Sequence, residues 1–227
     1  MVDAVLVEWE GVLADTFIGR RDALTRALSS EGVYLDDFVV AAECQGRSTH
    51  AAAAAVLARA GHDDPTLVDL VALRATRSFA ERLGKGFVLR RGAREFMQHV
   101  QASAPIGLVT SASRSETEFV LRLAELDGAV STVVCSDEGL DGPPHEALER
   151  AVANMARRCT LRRAHVVALA PSSRAVRAAK DAGVRVIAVG SPAHEALEAD
   201  GVVEGVDGLT VVQLATIAGL PMLEGRR

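Results

Sequence analysis

Two hydrophobic periods alternate along this chain. Near-continuous apolar runs at 4–7, 105–109, 131–135, 165–169 and 184–189 read as strands buried on both faces. Between them the apolar positions recur with helical spacing. Helices are predicted over 17–30, from near Asp36, from Ser48 or Thr49 to just before Gly61, and from Pro65 to about Arg82. Further helices are predicted over 93–101, from Arg114 to about Leu126, from Pro143 or Pro144 to about Arg157, and over 173–182. In the first of these Leu24, Ala27 and Leu28 share one face, with Thr16 as the expected cap. The tail alternates apolar and polar positions around 201–203 and ends in a helix over 210–218.

Strands alternating with helices predict an α/β fold, a parallel sheet with helices on both faces. The stretch from 17 to 86 breaks that alternation, because it is helical throughout. The expected organisation is therefore an α/β core made of residues 1–16 and 87–227, with an inserted all-helical domain over 17–86.

Composition narrows the function without naming it. The 227 residues are 49% hydrophobic and 24% charged, an ordinary globular balance. No apolar run reaches the roughly 20 residues that span a bilayer, and no secretory leader is evident at the N-terminus. The expected location is cytoplasmic. A net charge of −5 without a basic block argues against nucleic acid or a membrane surface as partner. Cys44, Cys135 and Cys159 form no CxxC pair, so neither a disulfide framework nor a zinc site is expected. Of the 25 Lys and Arg residues only Lys85 and Lys180 are lysines, so a role that needs a lysine has two candidates.

Candidate chemistry gathers after the first strand. Glu8 and Glu10, two residues apart on extended chain, point to one side, at the strand end where open α/β sheets bind ligands. Gly11 and Asp15-Thr16 follow. This stretch resembles the first motif of the haloacid dehalogenase (HAD) superfamily, with glutamates in place of both aspartates. Leu108-Val109-Thr110-Ser111 resembles the second motif, and Ala178 to Gly183 the helix end after the fourth. The helical insert is similar to the cap of the phosphoglycolate phosphatase and β-phosphoglucomutase branch. Gln45-Gly46-Arg47-Ser48 stands at that branch's substrate-contacting loop, and the run from Phe87 to Phe96 at its return to the core.

The resemblance implies a HAD-like Rossmannoid core with a helical cap. It also implies phosphoryl transfer through a carboxyl-phosphate, assisted by Mg²⁺. Glu8 then takes the nucleophile position and Glu10 the acid/base position, with both as weak metal ligands. Thr110 and Ser111 hold phosphate at a helix start whose free N–H groups suit an anion, and Gly46 and Arg47 contact substrate. Against this, glutamate carries its carboxylate about 1.5 Å further out than aspartate. A misplacement of ~1 Å can slow in-line attack about 10²-fold.

The lysine expected before the Pro-containing helix start falls on Gly142 or Asp141, and the fourth motif's acids on Ala170-Pro171. Arg90, Arg91 and Arg114 are the candidates for replacement positive charge, while Asp137 and Glu138 fit the loop after the third strand better than the crevice. The expected function is a HAD-fold protein impaired in catalysis that binds a phosphorylated metabolite or a protein partner. The alternative is an active phosphatase with a rebuilt site. Dehalogenase chemistry has no better match, and no GxGxxG follows a strand to suggest dinucleotide binding.

Overall fold

The computed structural model describes residues 1–86, 89–138, 144–190 and 196–221. Six strands lie in the order β3-β2-β1-β4-β5-β6: β1 (Ala4–Glu8), β2 (Ile106–Val109), β3 (Thr132–Val134), β4 (Val166–Ala170), β5 (Arg185–Val189) and β6 (Gly201–Val203). Every neighbouring pair is parallel. The sixth strand is the alternating tail stretch, which pairs with β5 through Val189 and Val203.

Strand alternation sorts the core into two layers. Val5, Val7, Ile106, Leu108, Val167 and Leu169 face one way, onto α5 (Ala93–Gln101), α6 (Arg114–Leu123) and α9 (Val211–Ile217). Leu6, Ala168, Ala170, Val186 and Ala188 face the other, onto α7 (His145–Ala156) and α8 (Ser173–Asp181). Buried on both sides, such strands must be apolar throughout, which is how they read in the sequence.

Between β1 and β2 the chain makes α1 (Phe17–Ser30), α2 (Asp37–Cys44), α3 (Thr49–Arg59) and α4 (Pro65–Gly84), which enclose a hydrophobic core of their own. Asp36, Ser48 and Asp64 cap the last three by accepting backbone N–H groups. Thr16 does not cap α1. Its backbone is already helical in φ and ψ, and its buried hydroxyl has no partner among the described residues. No described helix is long and apolar enough to cross a membrane.

The topology places one crevice. β1 lies between β2 and β4, so connections leave it in opposite directions, and the carboxyl ends of these three strands flank a switch point. The segment after β1 folds back on itself, with Leu13 and Ala14 donating to the Trp9 carbonyl, and Arg90 donates to Leu13 as the chain returns from the helices.

Candidate functional site

Glu8 is the last residue of β1, in register with Val109 of β2. Trp9 turns into the core, 2% exposed, so Glu8 and Glu10 share the crevice side. Burial, reinforced by repulsion from Glu10 and opposed by the charge of Arg174, pushes the Glu8 carboxyl up to about 8. At neutral pH it is therefore mostly a neutral acid.

Glu10 is held differently. Arg20, in the first turn of α1, donates Nη1 to Glu10 Oε1 at 3.0 Å and to Ser111 Oγ at 3.0 Å. Its Nη2 reaches the Arg47 carbonyl at 3.1 Å. Thr110, 7% exposed, donates its hydroxyl to Glu10 Oε2 at 3.2 Å and accepts the Ala112 N–H at 3.1 Å. Glu116, in the first turn of α6, feels both charges: burial raises its carboxyl, Arg20 opposes that and Glu10 adds to it. The Arg20 side chain, 10% exposed, thus joins the helical lobe to the ends of β1 and β2.

Several expected positions lie elsewhere. The Arg47 side chain turns away from the crevice to the buried carboxylate of Glu43, which also accepts Arg59 Nε at 2.6 Å; only the Arg47 carbonyl meets the site. The start of α6 is not free for an anion. Ser113 accepts the Glu116 N–H, and Asp137 accepts the Arg114 N–H through both oxygens at 3.0 Å. Arg114 pairs with Glu138, so neither the arginine nor the two acids of that loop serve the crevice. Arg91 pairs with Asp207 at 2.6 Å and Lys180 with Asp200 at 2.8 Å, while Arg90 lies beside Gly190. Gly142 and Asp141 lie outside the described residues. Cys135 is a buried thiol near Thr117, pushed up to about 11 chiefly by burial.

The β4 side of the crevice is built from other material. Ala170 is 2% exposed and belongs to the core under α8. Pro171 packs on Gly11: a Cβ on Gly11 would sit 2.5 Å from the proline Cβ, and Gly11 holds φ +82°. Glycine is the residue that tolerates both. Ser172 caps α8, and Arg174 follows in its first turn. From there the Arg174 guanidinium reaches the lobe's loop, where a Cβ on Gly46 would meet its Nη1 at 3.7 Å.

Neither arginine was singled out for the crevice in the sequence. A signal existed, because a cation in a helix's first turn opposes the macrodipole and needs another partner. Arg20 and Arg174 both stand there.

These donors do not fit Mg²⁺, which takes oxygen ligands in near-octahedral geometry. Glu10 is taken by Arg20 and Thr110, and Ala170 and Pro171 bring no side-chain oxygen, which leaves Glu8 as the one uncommitted carboxyl group at the three strand ends among the described residues. Among the described residues no group of three His, Cys, Asp or Glu is placed to hold a metal.

Comparison with known proteins agrees with the topology. No curated protein matches the sequence. Among solved structures, β-phosphoglucomutase from Clostridium difficile superposes with TM-score 0.80 at 14% identity, over 96% of this chain and 98% of that one. CbbY from Rhodobacter sphaeroides, in complex with phosphate, gives 0.80 at 20% identity, over 94% and 99%. A predicted phosphoglycolate phosphatase from Haemophilus somnus gives 0.76 at 13%, over 90% and 95%. The family description "haloacid dehalogenase-like hydrolase" matches residues 11–189, and the chain belongs to that family.

Proposed function

We propose that this protein binds a small phosphorylated molecule in the crevice between its helical lobe and its sheet, and is impaired in phosphoryl transfer. The helices of 17–86 act as the cap over that crevice, and the remaining segments form the core domain. One observation carries the reading: beside Glu8, the end of β4 offers a proline packed on Gly11 and an arginine, where metal-assisted transfer needs carboxylates. Glu8 itself is held in the wrong protonation state for attack at neutral pH.

Support for a phosphorylated ligand comes from the end of β2, where the Ser111 hydroxyl lies beside the Arg20 guanidinium, and from the family to which the chain belongs. CbbY, of similar fold, is in complex with phosphate. A protein partner seated on the lobe is the less supported occupant, since the polar groups converge in the crevice. Glu10 is positioned from two sides, and that favours the alternative of an active phosphatase with Glu8 as nucleophile.

A panel of small phosphate esters with Mg²⁺, Mn²⁺ and Co²⁺ separates the two. The wild type is expected to show no turnover above background, and the Glu8→Asp, Pro171→Asp double variant is expected to gain some. Robust Mg²⁺-dependent turnover by the wild type, abolished in Glu8→Ala, overturns the proposal.

A further inference from the structure

We infer that two arginines, Arg20 from the helical lobe and Arg174 from the core, supply the positive charge of this crevice, so that it takes a phosphate monoester without a divalent metal. The inference rests on the reading above and goes beyond it by naming what neutralises the ligand.

Three observations converge. Arg20 crosses from the lobe to touch Glu10 and Ser111 in the core, and Arg174 crosses from the core to lie against Gly46 in the lobe. Their targets are adjacent, because Arg20 bonds the carbonyl of Arg47, the residue after Gly46. Gly46, at φ +65°, gives the loop the left-handed turn that exposes both contacts. The two guanidinium groups thus meet one loop, Arg20 from the lobe and Arg174 from the core.

Their hydrogen-bonding capacity is not exhausted. A guanidinium has five N–H donors, and described residues take three from Arg20. Arg174 is exposed, and its charge is close enough to Glu8 to act on that carboxyl. Thr16, one turn before Arg20 on the same side of α1, keeps a buried hydroxyl with no partner among the described residues. Arginine forks match phosphate oxygens in geometry as well as charge. A third cation would meet this charge rather than complement it, and Pro171 closes off Gly11 on the same side.

The test is calorimetric titration of the full chain with inorganic phosphate, in EDTA and again in millimolar Mg²⁺. The expected result is saturable binding of one phosphate per chain with the same affinity in both. Arg174→Gln and Arg20→Lys should each weaken it about tenfold, the scale of one charge-assisted hydrogen bond. Arg174→Lys should recover part of the loss. Arg174 is exposed, so its variants should melt with the wild type and separate lost binding from lost folding.

Absence of saturable binding, a requirement for Mg²⁺, or unchanged affinity in Arg174→Gln overturns the inference. So does an equal loss in Arg158→Gln, a surface control after α7 that bonds the Ser131 carbonyl at the amino end of β3, away from the crevice. The two readings fail separately. Mg²⁺-dependent phosphate binding without turnover defeats this inference and leaves the proposed function standing. Phosphate-ester turnover in EDTA that Glu8→Ala abolishes does the reverse.

Discussion

The two walls of the crevice have been built on different terms. On the β2 side, Thr110 and Ser111 keep hydroxyls at the strand end and are tied into a hydrogen-bonded set: Thr110 to Glu10, Ser111 to Arg20, Ala112 to Thr110. On the β4 side, Ala170 has joined the core, Pro171 fills the space over Gly11, and Arg174 is the charged group that reaches the opening. A polar wall is stabilised by mutual hydrogen bonding, so it persists only as a set. A wall without acids carries no buried like charge, and apolar packing can fill it. The difference is one of construction: mutual hydrogen bonds hold the β2 wall, and apolar packing around a single arginine closes the β4 wall.

The close approach of Gly11 and Pro171 is what closes the β4 wall. Gly11→Ala combines a left-handed backbone with a Cβ 2.5 Å from a rigid ring, and it should cost about 3 kcal/mol or more in denaturant melts. Placing Pro171→Gly in the same chain should return the share due to contact and leave the share due to φ. If Gly11→Ala melts with the wild type, the β4 wall is not packed as described.

Glu8 joins the two walls, and its predicted signature is in pH. Its folded carboxyl stands at about 8 against an ordinary 4.5, so the proton binds more tightly in the folded state. The stability this contributes is fully present below about pH 4.5 and is lost as pH rises through about 8. Glu8→Gln, which stays neutral, should therefore gain on the wild type steadily between those values, by on the order of 2 kcal/mol once relaxation is allowed for. A pH-independent difference between the two would show that Glu8 titrates in the folded protein as it does unfolded.

Much of this was legible before the structure, and the reason is periodicity. Strands buried on both faces must be apolar throughout and helices must show a stripe, so 17–30 and 93–101 match α1 and α5 to the residue. The central position of Glu8 and Glu10 followed from the strand end. What the sequence hid was direction. The family resemblance implies a crevice role for Arg47, but the buried Glu43 carboxylate, in the last turn of α2 four residues earlier, takes its charge. The N–H groups at the start of α6 read as free for an anion and Asp137 as a loop residue, yet Ser113 and Asp137 close that start, because unsatisfied N–H groups at a helix end take the nearest oxygen. Arg20 and Arg174 were visible only as cations on the wrong end of a helix, and their partners are distant in sequence.

Arg20 tests the polar wall as a unit. Arg20→Ala removes partners from Glu10, Ser111 and the Arg47 carbonyl together, and should cost about 2 kcal/mol, much of it from leaving Glu10 without its countercharge. Arg20→Ala combined with Glu10→Gln should cost less than the sum of the two alone. Strict additivity would mean the pair is an exposed one that solvent screens.

Arg174→Gln should be the quietest change to the fold. Its side chain is exposed, no described carboxylate is bonded to it, and a surface substitution of this kind normally falls within about 0.5 kcal/mol. One effect should nonetheless be visible. The Arg174 charge draws the Glu8 carboxyl down, so removing it should move the Glu8 titration, followed by carboxyl-carbon NMR, to higher pH. Arg114→Gln, whose charge is spent on Glu138, should leave that titration in place. The contrast isolates the β4 wall: a cation in the crevice shifts Glu8, and a cation engaged on α6 does not. Equal shifts from both variants would mean that Glu8 senses only the net charge of the protein, and that Arg174 does not reach into the crevice.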